Sequence, residues 1–174
     1  MRYADFYDCD LCNGNAVGVS LFVQGCPLHC KGCFNPETWG FSGGKPWTDI
    51  TEEKFFEYIK KTYIKRVSFL GGSPLAEGNR EEVFRLCEKI KTNFPSIIIW
   101  VYTGFTWEEL TADQHIIKGL QNVDVLVDGR YDDSLKDLSL PFRGSTNQRI
   151  IDVQQSLKSG ELVLWSLKKH SEGE

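Results

Sequence analysis

From residue 19 onward, short apolar, β-branched runs alternate with stretches of helical period, and each run stops at small or polar residues. Val19-Ser-Leu-Phe-Val23 ends at Gly25, and Arg66 to Leu70 runs into Gly71-Gly72. Ser96 to Tyr102 runs into Thr103-Gly104, and Asp124 to Asp128 into Gly129. This alternation is the signature of strands joined by helical crossovers, which forces a largely parallel α/β sheet. The unbroken run Ser96 to Tyr102 predicts a strand covered on both faces. In such sheets the carboxyl ends of the strands form the active edge, so four strand ends are expected to line one site.

The intervening segments predict helices. Thr51 to Ile64 has Thr51 as candidate N-cap, acidic residues in the first turn, and Phe55, Ile59 and Tyr63 on one face. Arg80 to Lys91 turns Val83, Phe84, Cys87 and Ile90 inward, and Thr106 to Leu120 opens on Thr106 as N-cap. Leu135 to Gln148 reads as loop, and Glu161 to Leu167 as a closing strand or short helix.

The chain of 174 residues fits one domain, and no repeat or linker divides it. Its net charge of -4 leaves no basic stripe for nucleic acid. The longest apolar run, Ile97 to Tyr102, is far short of the roughly 20 residues of a spanning helix. The N-terminus MRYADFYDCD is acidic where a signal peptide is basic and then apolar. A cytoplasmic location is therefore expected. Thiols stay reduced there, and clustered cysteines favour metal binding or catalysis over disulfides.

Three of the six cysteines fall within eight residues, in Gly25-Cys-Pro-Leu-His-Cys-Lys-Gly-Cys33. Their spacing would also place them on one helical face. Gly25, Pro27 and Gly32 break that helix, however, and His29 and Lys31 are poor core residues. A structural zinc needs a fourth ligand, and His29 inside the same short loop would close a strained tetrahedron. A 4Fe-4S cube accepts thiolates from one loop at its corners. Three thiolates leave the fourth iron open, which separates a chemical centre from a structural one. Cys9 and Cys12 form a CxxC with the potential to supply half a zinc site or a fourth ligand, and Cys87 reads as core.

Cys-Pro-Leu-His-Cys-Lys-Gly-Cys is the CxxxCxxC pattern of the radical S-adenosylmethionine enzymes. Through most of its length the chain resembles the activating components of anaerobic ribonucleoside-triphosphate reductases. The matching segments are Cys26 to Asn35 with Thr38-Trp39, Gly71 to Leu75, Trp100 to Phe105, Val125 to Arg130 and Arg143 to Gln148. The resemblance implies a single domain over 1–174 with a minimal radical S-adenosylmethionine fold, an open, partial TIM-type barrel of parallel strands with helices outside. It implies a 4Fe-4S cluster on Cys26, Cys30 and Cys33, with S-adenosylmethionine chelating the open iron. An electron from the cluster then releases methionine and a 5'-deoxyadenosyl radical, which takes a hydrogen from one glycine of the reductase. A flavodoxin-type protein is the implied electron donor.

The resemblance also implies roles at the other strand ends. Gly71 and Gly72 let backbone groups approach the methionyl amino group. Gly32, Cys33 and Phe34 run beside the adenine, and Thr103, Asp128 and Arg130 lie near the methionyl portion. Two departures stand out. The family's acidic residue between the glycines and the proline is Ser73 here, and its Asn-Gly-Pro-Gly-x-Arg appears as Asn13-Gly-Asn-Ala-Val-Gly18. The other readings are a radical enzyme acting on another glycyl radical enzyme or a small molecule, and a non-catalytic metal module.

Overall fold

The computed structural model describes residues 1–166. Its strands are β1 (Arg2–Asp10), β2 (Gly18–Gln24), β3 (Lys45–Pro46), β4 (Arg66–Gly71), β5 (Ile98–Tyr102), β6 (Val125–Asp128) and β7 (Arg149–Asp152). The helices are α1 (Asp49–Ile59), α2 (Glu77–Asn93), α3 (Trp107–Thr111), α4 (Gln114–Leu120) and α5 (Val153–Ser159). The strands form one mixed sheet in the order β3-β1-β2-β4-β5-β6-β7. Its centre, β2-β4-β5-β6, is parallel. The flanks are not: β1 runs antiparallel to β2 and β3, and β7 antiparallel to β6.

Register sorts the side chains onto two faces, because successive residues of a strand point opposite ways. Leu21 pairs with Phe69, Phe69 with Val101, and Val101 with Leu126. This apolar row belongs to a core shared with Phe55 and Ile59 of α1, Val83 and Cys87 of α2, and Leu110 and Leu120 of α3 and α4. The opposite row runs Ser20, Ser68, Trp100 and Val125. Trp100, Val125, Val127 and Ile150 form a separate cluster there, with Phe142 packed against it. The helices cover one face, and the other is left to loops.

Several local expectations change. The N-cap of α1 is Thr48, whose hydroxyl accepts from the Thr51 N–H, and α1 ends at Ile59, leaving Tyr63 exposed rather than on its buried face. Thr106 does cap α3, in a reciprocal box with Glu109, but Asp113 caps a new helix, so Thr106 to Leu120 is two helices. A short turn at Asp133–Leu135 leads into the expected loop, which holds one bridge, Lys136 to Ser145. The closing strand is β7. Within Glu161 to Leu167, only Leu164 bridges to Ile151, and Leu167 lies outside the described residues. Among the described residues no helix is long and apolar enough to cross a membrane.

Candidate cluster site at the carboxyl edge of the sheet

The segment after β2 doubles back because its backbone is tied at both ends. Gly25 N–H donates to Thr38 O at 2.8 Å, and Cys26 N–H to Trp39 O at 2.9 Å. Gln24 holds the return through Glu37 O and Gly40 O. The same turn is fastened to the strand end beside it: Gly72 N–H donates to Val23 O and Ser73 N–H to Gly25 O, both at 2.9 Å. Asn79 then bridges Gly25 O and Ser73 O from the first turn of α2. At Gly72 the backbones are so close that a Cβ would sit 2.6 Å from Gly25 O, and Gly71 has φ +94°. Only glycine satisfies both positions.

Cys26, Cys30 and Cys33 are free, partly buried, and line the wall of one 630 Å³ cavity. Gly71, Gly72, Ser73 and Thr103 line it too, along with Phe34 and Asn35. The strand ends thus meet the cysteine loop as the sequence implied. Burial pushes the Cys30 thiol above its usual range, and the neighbouring thiols of Cys26 and Cys33 push the same way. A Tyr131 N–H opposes them, and the Asn35 N–H donates to Cys33 Sγ at 3.4 Å. N–H groups aimed at sulfur favour the thiolate that iron requires. His29 is exposed, with its ring stacked on Trp39 at 4.7 Å. Among the described residues no three His, Cys, Asp or Glu side chains gather tightly enough to grip a single ion.

Asp128 and Arg130 are placed differently. Asp128 is buried, accepts from the Trp107 N–H at 2.7 Å, and pairs with Arg149 at 2.5 and 3.0 Å. Its carboxylate therefore holds the start of α3 and lines a neighbouring 430 Å³ cavity with Arg130, outside the lining of the larger one. Arg130 is exposed, yet near enough to Cys30 for its charge to draw that thiol's pKa down. Gly32 lies with a Cβ position 2.6 Å from Asp133, and the exposed Phe34 ring packs on Tyr131 at 5.0 Å.

The cavity also gathers residues of the matching segments for which the sequence suggested no pairing. Ser73 is 1% exposed and its hydroxyl has no partner, and the buried Tyr102 hydroxyl is equally unmatched. Trp39 Nε1 and Arg143 Nε complete four unpaired polar atoms around one chamber. Such groups are costly when left dry, so their convergence marks a ligand site. Cys12 and Asn13 line the chamber at its far end. Asn13 O accepts from Ser68 Oγ at 2.6 Å, three residues short of Gly71 along β4, or about 10 Å at a strand's rise.

A three-thiol cavity at the carboxyl edge of an α/β sheet fits an iron–sulfur protein, and residues 12–151 match the model of the 4Fe-4S single cluster domain. Named relatives agree over nearly their whole length. The anaerobic ribonucleoside-triphosphate reductase-activating protein of Vibrio cholerae is 40% identical over 152 residues, covering 86% of this chain and 97% of the relative. Those of Escherichia coli and phage T4 are 39% and 38% identical over 150 residues, with 96% and 93% of each relative covered. The chain belongs to this family of reductase-activating proteins.

Proposed function

We propose that the chain installs a glycyl radical on anaerobic ribonucleoside-triphosphate reductase, using a 4Fe-4S cluster and S-adenosylmethionine. The observation that carries this reading is the shared wall of Cys26, Cys30 and Cys33 beside the glycine cradle of Gly71 and Gly72. Cys26, Cys30 and Cys33 would hold three irons. With S-adenosylmethionine bound, the cluster would supply the single electron that splits it into methionine and the carbon radical able to take hydrogen from a glycine α-carbon.

The remaining chemistry belongs to the chain's own groups. Gly71 and Gly72 bring main-chain atoms to the methionyl amino group, and Ser73 offers its unpaired hydroxyl beside them. Thr103 lines the same wall, and Arg130 offers a charge near Cys30. Asp128 acts at one remove, fixing α3 and Arg149 behind Gly129. Gly32, Cys33 and Phe34, with Tyr131 packed on the ring, form the adenine side. Leu28, Leu138, Leu140 and Phe142 supply apolar walls that exclude water around a reactive carbon.

The parallel centre is read as the minimal, open form of a radical S-adenosylmethionine barrel, one domain over 1–174. Helices on the outer face and a cavity on the inner face support that reading. Six free cysteines suit a reducing cytoplasm, with a flavodoxin-type protein as electron donor. The test is anaerobic reconstitution with reductant and S-adenosylmethionine, which yields 5'-deoxyadenosine. Adding the reductase yields a glycyl radical doublet in its paramagnetic resonance spectrum. Cofactor cleavage with no radical on the reductase would remove the partner from the proposal.

A further inference from the structure

Arg66 is the first residue of β4, fully buried, and organises a loop 50 positions away. Its Nη1 donates to Asn13 O at 2.7 Å, and its Nη2 to Asp10 O at 2.8 Å. The guanidinium also reaches Asp10 Oδ2 at 3.3 Å, Ala16 O at 3.4 Å, and the hydroxyls of Ser20 and Ser68. Asp10 completes the knot, accepting from the Cys12 N–H at 2.7 Å and Asn13 Nδ2 at 2.8 Å. Residues 11–17 are thus wound around one side chain, and they present Cys12 and Asn13 to the cavity.

The space that Arg66 fills is opened by glycine. The β2–β4 register sets Arg66 directly opposite Gly18. A Cβ on Gly18 would lie 2.7 Å from the guanidinium carbon, and one on Gly14 would lie 2.6 Å from Arg66 Cδ. Residue 18 is also the position where the resembling motif, Asn-Gly-Pro-Gly-x-Arg, ends in arginine. Arginine and glycine face each other across one strand pair, with the arginine on β4 rather than at position 18, where that motif carries it.

We propose that the arginine has been transposed: Arg66 delivers from β4 the guanidinium that the motif delivers from the start of β2. Arg66 is then the positioning residue that sets the far wall of the chamber receiving the reductase's glycine-bearing segment. The loop keeps its role with Asn13 and Gly14 retained, although the motif's proline and arginine are gone. Only the chamber's occupant rests on the proposed function; the transposition rests on the strand pair and on the arginine that ends the resembling motif.

A double-mutant cycle tests this with the full-length, anaerobically reconstituted protein. Arg66→Gly strips the loop of its donors, and Gly18→Arg drives one arginine into another. Each single variant is expected to lower the thermal midpoint and to cut glycyl radicals formed per 5'-deoxyadenosine by about tenfold, the effect of one lost charge-assisted bond. Gly18→Arg combined with Arg66→Gly is expected to recover both readouts to within about twofold, the margin within which independent sites add. Arg66→Lys keeps a charge for Asp10 without the fork that spans three carbonyls. It is expected to retain iron and sulfide while its coupling ratio falls about tenfold, a split that loss of fold does not produce. A double variant as impaired as the sum of the singles would overturn the transposition. Normal coupling in Arg66→Lys would overturn the positioning role. If the parent cleaves the cofactor without modifying the reductase, the partner assignment fails, while the four thermal midpoints still decide the transposition.

Discussion

The two faces of the central sheet are built from alternate residues of the same strands, yet they obey different rules. The helix-covered face carries Leu21, Phe69, Val101 and Leu126, all fully buried and all apolar. The other face carries Ser20, Arg66, Ser68, Trp100 and Tyr102, buried just as deeply in part but polar or amphipathic. The first face closes on complementary volume, and the second on hydrogen bonds that converge on a chamber. One face holds the fold together. The other gives up apolar packing along β2 and β4, where a loop and a ligand can be placed, and keeps a smaller apolar cluster around Trp100.

The sharpest way to break this contrast is to truncate neighbours on β4. Phe69→Ala removes a fully buried ring from the outer face and is expected to cost about 3 to 5 kcal/mol in denaturant unfolding, with an unchanged m-value. Ser68→Ala, next door on the inner face, removes one accepting and donating hydroxyl and is expected to cost about 1 to 2 kcal/mol. Equal losses would dissolve the distinction.

The helix layer contains one charge knot of its own, at Glu52. Burial alone would raise this carboxyl, but Arg85, Lys89 and Trp47 outweigh it and hold the group down to about 2, against 4.5 for a free carboxyl. Its folded pKa is depressed, so its contribution is complete above about pH 5 and is lost as pH falls toward 2. Glu52→Gln is expected to cost about 2 kcal/mol at pH 7, and the gap to the parent should close on acidification. A gap that widens in acid would show that the carboxylate is not the paired form.

Smaller effects are expected on the chamber side. Ser73→Asp restores an acid beside the glycine cradle. A charged hydrogen bond exceeds a neutral one by about 1 kcal/mol, so S-adenosylmethionine should bind about fivefold more tightly by calorimetry. Weaker binding would place the methionyl amino group elsewhere. Tyr102→Phe deletes a hydroxyl with no protein partner, so stability should change by less than about 0.5 kcal/mol while glycyl radical yield falls. A loss above about 1 kcal/mol would mean that the hydroxyl was already bonded within the fold.

The parts legible in the sequence were those with a strong local signal. The apolar runs located β2, β4, β5 and β6, glycines marked their ends, and Thr106 announced α3. Strand β1 was missed because four of the nine residues of Arg2–Asp10 are charged, and bulges after Tyr3 and Tyr7 disturb its alternation. Strand β7 was missed because Arg-Ile-Ile-Asp is only four residues long and takes its stability from pairing with β6. Of the cavity lining, the cysteine loop and the strand ends at Gly71, Gly72 and Thr103 were readable from order and type. Tyr102 and Asn79 were not, since an unpaired phenol and a buried amide declare themselves only once their surroundings are known. Arg66 looked like an ordinary polar strand start until register set it against Gly18.

The proposed chemistry needs a cluster held by three thiols with its fourth iron free, and the structure supplies the competitor that makes this testable: Cys12 lines the same cavity. The decisive measurement is low-temperature paramagnetic resonance of the reduced, reconstituted protein titrated with S-adenosylmethionine, in the parent and in Cys12→Ala. About four irons per chain are expected in both, each with a signal that shifts when the cofactor is added. A cluster lost from Cys12→Ala, or a parent signal that the cofactor leaves unmoved, would contradict this chemistry.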